Sequence, residues 1–408
     1  MSSVHADEAT LSAPSGHLAA VDGVRAVAAL AVLVYHVAAR VGLNGTAAIG
    51  AYTGRLGSFG VAIFFVLSGF LLYRPYAFAH FTGRAAPASG EFLRRRFFRI
   101  FPAYWVALTA FIVVVHQAPV RSPKDVAQLY LLLQIYDQNT VLAGLGQAWS
   151  LCVELSFYLL LPLIALGVRE VGRRMRAAGR TTLQAELWSV SGLVFIGVAY
   201  RLWLIHVTPS WTNPTVSWIT STIDWFAIGM LFAVLRAHVE SSNRPLPGPV
   251  LALASRPLLS WVLGAELYWV LVQLRMPLDF APLSGVQLMG KHVLLGAAAG
   301  LFVLPAVLGM GEASGVRRLL TSSPLRWVGA MSYSVFLWHV VWLREASRWL
   351  DKPAATGGFW PLLVVTVAAT LCCSVLSYRY IELPAMRYGR RPRRTSERQP
   401  PSLSSQLH

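Results

Sequence analysis

The chain predicts an all-α fold, a polytopic membrane bundle of about ten transmembrane helices with the N- and C-termini cytoplasmic. Three observations lead there. Mean hydropathy is +0.54 over 408 residues and 55% of them are hydrophobic, far from the composition of a soluble domain. Apolar runs recur near 18–41, 58–79, 100–117, 147–168, 187–208, 218–237, 257–274, 289–310, 329–346 and 360–382, most of them close to the ~20 residues that cross a hydrocarbon core as a helix. Lys and Arg collect in alternate connections, 74–99, 169–180, 236–256, 312–326 and 379–398, and that bias places those connections and both termini inside.

The ends set the expected domain limits: a mobile N-terminal tail at 1–17, a membrane domain at 18–384 and a basic tail without fixed structure at 385–408. Residues 1–16 are polar and short of positive charge, so they do not read as a secretory signal. A net charge of +17 would suit a nucleic-acid partner, but the arginines lie in short connections and in RYGRRPRR. They read as topology signals, and the expected partner is the lipid bilayer, with no nucleic acid. Cys152, Cys372 and Cys373 all fall inside apolar runs, so no disulfide framework is implied. Arginine far outnumbers lysine and alanine is abundant, as in GC-rich bacterial genomes, which points to a bacterial plasma (inner) membrane.

The first run, LAAVDGVRAVAALAVLVYHVAARV, holds Arg25 and His36. A charge at mid-span costs roughly 2.5–3.5 kcal/mol, so such a residue faces a partner or a cavity. Eleven positions at ~100° return within ~20° of whole turns, which puts Arg25 and His36 on one stripe ~16 Å apart. The second run, FGVAIFFVLSGFLL, brings Ser68 and Gly69 into a bulky sequence, and close helix packing is their default role. The third opens with LRRRFFRIFPAYW; Arg96 and Arg99, three apart, face one way and with Arg25 would form a phosphate-binding mouth on the inner side. The segment 126–136 is too short to cross and reads as a re-entrant or interfacial helix.

Later runs add further polar groups. Glu154 in QAWSLCVELSFYLLLPL, Asp224 in WITSTIDWFAIGM and His339 in MSYSVFLWHVVWL each fall within about two turns of the outer end of their run, as His36 does. Four ionisable groups at one depth are expected to line one cavity. A carboxylate beside an imidazole fixes its tautomer and makes it a general base, and Glu154 with His36 is the pairing expected. Ser150, Glu154 and Tyr158 share a face and add hydroxyls beside the acid.

Taken in order, DGVRAVAALAVLVYH, FFVLSGFLL, RRFFRIFPAYW, WSLCVELSFYLLLP, SYSVFLWH and YIELP resemble the motifs of the integral-membrane acyltransferase-3 family, in its compact form without a C-terminal hydrolase-like domain. The resemblance runs from about 18 to 384. It implies transfer of an acyl group, commonly acetyl, from acyl-CoA to a sugar hydroxyl of a glycan or of a glycosylated natural product such as a macrolide. It implies His36 as the catalytic residue; joined to the placement of polar groups above, the expected site has His36 and Glu154 as catalytic, Arg25, Arg96 and Arg99 as donor-binding, and Trp149, Ser150, Tyr158, Asp224 and His339 as substrate-binding. Acyl-CoA is the expected donor and no metal is expected. Direct transfer and an acyl-histidine intermediate both remain open. The alternative from another class is a proton-coupled transporter or exporter of a small solute or saccharide, in which the same buried groups relay protons.

Overall fold

Residues 19–46, 49–115, 122–207, 214–242, 244–274, 276, 284–309, 315–351 and 358–390 are described in a computed structural model of the chain. The expected tail at 1–17 lies outside them. Among the described residues the secondary structure is helical, without strands: α1 (Ala19–Arg40), α2 (Ile49–Thr82), α3 (Ser89–Ala110), α4 (Pro123–Tyr130), α5 (Trp149–Ala177), α6 (Thr182–Val207), α7 (Ile223–Ser242), α8 (Gly248–Ala254), α9 (Pro257–Gln273), α10 (Gly285–Leu308), α11 (Gly315–Leu320), α12 (Ser323–Ala330), α13 (Ser332–Trp349), α14 (Phe359–Ser377) and α15 (Leu383–Arg390).

Each apolar run is a helix, so the polytopic all-α bundle read from the sequence is the fold. Among the described residues, seven helices are long and apolar enough to cross a membrane, or eight if α8 and α9, bent by 95° at their break, form one span. That is fewer than the ten expected. The shortfall is chemical: α7 carries Asp224, Arg236 and Glu240, and α13 carries Arg344, Glu345 and Arg348, so charge interrupts their apolar length. The 126–136 segment does not cross. Its helix, α4, is capped by Ser122 and Asp125 in a reciprocal box and spans only ~12 Å. The basic tail expected to lack structure from 385 instead starts as α15, which runs to Arg390 and packs Gly389 against Phe98 of α3.

At 34 residues, α2 is ~51 Å long, well beyond a hydrocarbon core of ~30 Å. It is also the centre of the bundle: 72% of its apolar stretch is buried, against 22% for α6 and α14, which face outward. Lipid tails are as apolar as leucine, so close backbone approach does the work that hydrophobic burial does in water. Two glycines supply it between α2 and α7. A Cβ on Gly69 would lie 2.0 Å from the Phe226 carbonyl oxygen, and one on Gly229 would lie 1.8 Å from that of Val66. Around this contact Phe226 stacks on Phe65 and Phe157, with ring centroids 4.5 and 4.2 Å apart, joining α2, α5 and α7.

Gly229→Leu should force α7 off α2 and lower the unfolding midpoint of the detergent-solubilised protein by about 5–10 °C, the scale of an overpacked core. Gly192→Leu on α6, where a Cβ meets nothing within 4 Å, should leave the midpoint where it was. Differential scanning fluorimetry of the two variants makes the comparison, and equal midpoints would remove the α2–α7 contact from its central place.

Candidate active site

A cleft opens among α1, α2, α5 and α13. Its wall on α2 runs from Val61 through Phe64, Phe65, Leu67 and Ser68 to Leu71, ten residues or ~15 Å of helix. Arg25 comes from α1, Ser150 and Glu154 from α5, and Ser332, Tyr333 and Phe336 from α13. The walls are largely apolar with a few placed polar groups, the usual composition of a small-molecule site.

Glu154 forms the waist. Its Oε1 accepts a hydrogen bond from Ser68 Oγ at 2.6 Å, reaching across to α2, and a second from Tyr158 OH at 2.6 Å, one turn along α5. Arg25, itself in the cleft wall, is coupled to the charges of Glu154, Asp22 and Arg99. The two arginines of α3 part company. Arg99 donates to Glu382 Oε1 at 3.2 Å and lies 5.6 Å from the Tyr333 ring centroid; Arg96 lies 5.8 Å from the ring centroids of both Phe92 and Tyr158. Glu382 is fully buried in a π-helical turn, Tyr378–Glu382, between α14 and α15, where Ser334 Oγ also reaches it at 3.4 Å. Such turns are frequent at functional sites. The three expected arginines therefore converge on the Tyr158 and Tyr333 end of the cleft, with Arg99 already charge-paired.

His36 is held differently from expectation. The hydrogen bonds of Glu154 go to Ser68 and Tyr158, and the ring beside His36 is that of His339. His339 Nδ1 lies 2.7 Å from Phe336 O and 3.2 Å from Val335 O. A carbonyl only accepts, so Nδ1 carries the proton and Nε2 of the neutral ring is bare. That bare nitrogen faces His36 Nδ1 at 3.2 Å, and Val32 O faces the same atom at 2.8 Å. Two acceptors assign the His36 proton to Nδ1 and leave Nε2 as the basic lone pair. The His339 ring is 1% exposed, His36 is half-buried, and the Phe336 ring in the cleft wall stands 6.0 Å from that of His339. The pair thus sits one turn beyond the cleft.

Of the four groups expected in one cavity, Glu154 lines the cleft, His36 and His339 sit just beyond it, and Asp224 is elsewhere. Its Oδ2 meets His292 Nε2 of α10 at 2.6 Å, and Trp225 stacks on the His292 ring at 4.5 Å. Arg201 of α6 interacts with the Asp224 charge and donates to Ser221 O. This cluster joins α6, α7 and α10, so satisfaction of a buried carboxylate by neighbouring helices, rather than a shared cavity, accounts for Asp224. Trp149 packs half-buried on the core and does not line the cleft, whereas Ser150 does. Ser150 Oγ donates to Gln147 O, and Gln147 Nε2 donates to Phe336 O at 3.3 Å, tying the start of α5 to α13. Among the described residues, no group of three or more His, Cys, Asp and Glu is placed to hold a metal.

Sequence reading gave Ser68 a packing role and passed over Tyr333, Phe336 and His292. The signal for the first two was present: Tyr333 and Phe336 precede His339 by six and three positions, on the helix face that meets the cleft. The signal for His292 was a lone imidazole in an otherwise apolar run.

Comparison with known proteins gives relatives of low identity. Peptidoglycan O-acetyltransferase OatA of Listeria monocytogenes is 25% identical over 389 residues, covering 91% of this chain and 56% of its own length; the chain thus spans little more than half of that relative. Nodulation protein 10 of Rhizobium leguminosarum bv. viciae is 25% identical over 360 residues, 80% of this chain and 82% of its own. Acyltransferase MdmB of Streptomyces mycarofaciens is 33% identical over 166 residues, 38% of this chain and 41% of its own. No solved structure matches. The family model of the acyltransferase domain, acyltransferase-3, matches residues 18–379, and a match over that much of the sequence means that the chain belongs to the acyltransferase-3 family.

Proposed function

We propose that this protein is a membrane-bound O-acyltransferase that moves a short acyl group, acetyl in the first instance, from acyl-CoA to a sugar hydroxyl of a glycan or glycosylated natural product. The observation that carries the reading is the imidazole pair: His36 Nδ1 faces His339 Nε2 at 3.2 Å at the end of a cleft with Arg25 in its wall. The names of the O-acetyltransferase and acyltransferase relatives support it. The residues present suit the donor. A pantetheine arm, comparable to a four-residue extended chain, is about 15 Å long, similar to the cleft wall along α2. Arg25 and Arg96 would hold the phosphates, with Arg99 fixing that end through Glu382.

His36 Nε2 takes the proton of the acceptor hydroxyl as its oxygen attacks the thioester carbonyl. The imidazolium charge that forms is accommodated because Nδ1–H points at two acceptors, His339 Nε2 and Val32 O. His339 thus takes the role usually given to a carboxylate. The tetrahedral intermediate collapses by breaking the carbon–sulfur bond, and the proton on His36 goes to the departing thiolate, so the reaction consumes and releases no net proton. Glu154, fixed by Ser68 and Tyr158, balances Arg25 and shapes the cleft, with Ser150 and Tyr158 as contacts for the bound donor. Burial of the site keeps water from taking the acyl group.

His36→Ala should lower transfer by about 10²–10⁴-fold, the usual contribution of a general base, with acyl-CoA binding retained. His339→Gln should lower kcat with little change in the donor KM. Purified protein incubated with radiolabelled acetyl-CoA and candidate glycosides supplies the readout; labelled ester from the His36→Ala variant at the normal rate, or solute uptake into vesicles without ester, would overturn the proposal.

The two arginines of α3 should behave differently. Arg96→Ala should raise the acyl-CoA KM without loss of stability. Arg99→Ala leaves Glu382 buried without its cation and should destabilise the protein by about 3–5 kcal/mol, a loss that Glu382→Gln added to it should partly restore. Thermal unfolding and donor titration on the single and double variants separate the effects.

A further inference from the structure

Around its waist the cleft has hydroxyls whose protons are already committed. Ser68 Oγ and Tyr158 OH both donate to Glu154 Oε1, Ser150 Oγ donates to Gln147 O, and Tyr333 OH donates to Ile100 O at 2.8 Å. Glu154 Oε2 receives none of them. Among the described residues this atom has no hydrogen-bond partner, and it stays open to the cleft that Glu154 lines. A carboxylate oxygen only accepts, and one left without a donor in a largely apolar space is costly. A ligand that fills the cleft therefore brings an N–H or O–H to this atom. The cross-links of α5 and α13 fix the level at which it does so. Phe336 O accepts from Gln147 Nε2 at 3.3 Å and from His339 Nδ1 at 2.7 Å, so Gln147 stands level with the imidazole pair. Glu154 follows Gln147 by seven residues, ~10 Å along the start of α5. In an extended acyl-pantetheine the first amide nitrogen is four bonds from the thioester carbon and the second is eight, or ~5 and ~10 Å at the rise of an extended chain.

We propose that Glu154 Oε2 accepts the second amide N–H of a pantetheine arm, the one eight bonds from the thioester carbon, and so makes Glu154 the residue that selects pantetheine thioesters as donors. This rests on the acyl-transfer reading above. With that amide at Glu154 and the chain extended toward α13, the thioester carbon reaches the level of His36 and His339, and the rest of the arm runs the other way, toward Arg25 and Arg96. One hydrogen bond thus sets the depth of the reacting atom. Ser68 and Tyr158, by holding Oε1, fix the carboxylate and act as positioning residues. A cysteamine thioester cut off after its first amide lacks the contact and enters without register. An acyl phosphate lacks it too, and its charge is opposed by the carboxylate.

The test uses the full chain in nanodiscs of phosphatidylcholine and two acetyl thioesters of equal length. S-acetyl-N-(3-acetamidopropanoyl)cysteamine keeps both amides; in S-acetyl-N-(5-oxohexanoyl)cysteamine a methylene replaces the second N–H. Binding of each is titrated by saturation-transfer NMR. The diamide should bind about tenfold tighter, the scale of one charge-assisted hydrogen bond. Glu154→Met should erase that ratio, and Glu154→Gln, whose amide can still turn an oxygen to the ligand, should leave a smaller one. Because the ratio compares two ligands on one protein, a variant that merely folds less well lowers both affinities and leaves it unchanged. A ratio near one in the unsubstituted protein, or a ratio that both variants keep, would overturn the assignment. So would a raised glycoside KM in Glu154→Gln with the donor ratio unchanged, since Glu154 would then hold the acceptor. The expected ratios with no ester from acetyl-CoA and any glycoside would support donor recognition by Glu154 while counting against acyl transfer.

Discussion

An imidazole inside a membrane bundle works as a base only when the proton on its other nitrogen has a fixed destination. In this chain that destination is a short relay: the Phe336 carbonyl holds the proton of His339, and the bare nitrogen of His339 faces the proton of His36. Everything near the site serves that alignment. The Phe336 carbonyl also accepts from Gln147, so the start of α5 is fixed to the same turn of α13. Arg40 donates to Ser347 of α13, which fixes the far end of α1 to the same helix. Two histidines on different helices can keep a 3.2 Å separation only if the helices cannot slide, and these cross-links prevent it.

The buried carboxylates divide by what satisfies them. Glu154 is held by two hydroxyls and has Arg25 nearby, an arrangement that leaves charge available inside the cleft. Glu382 is matched by Arg99, Asp224 by His292, and Glu186, fully buried, by Tyr73 OH at 2.8 Å and His80 at 2.9 Å. Removing one partner of such a pair costs more than the pair contributes. These three therefore act as rivets between helices, while Glu154 is the acid that lines the space a ligand would fill.

Much of this was legible in the sequence. Apolar run length located the helices, because the hydrocarbon core imposes it, and the helical period put Ser150, Glu154 and Tyr158 on one face of α5. What the sequence withheld was pairing between helices. Position along each helix was readable for His36, Glu154, Asp224 and His339, but the neighbour each would face was not. Asp224 consequently went to His292 and Glu154 to Ser68, and His36 lies beside His339. The charged ends of α7 and α13, by contrast, were legible: Arg236 with Glu240 and Arg348 with Glu345 pair within one helix at i,i+4 and i,i+3.

The account stands on the protonation of two rings, and nitrogen-15 NMR of the histidine-labelled protein reads it directly. At neutral pH His36 should show a protonated Nδ1 and a bare Nε2, with the same tautomer at His339 and with the His36 signals shifting in His339→Gln. A His36 ring protonated at Nε2, or one indifferent to the loss of His339, would contradict the relay and with it the assignment of His36 as the base.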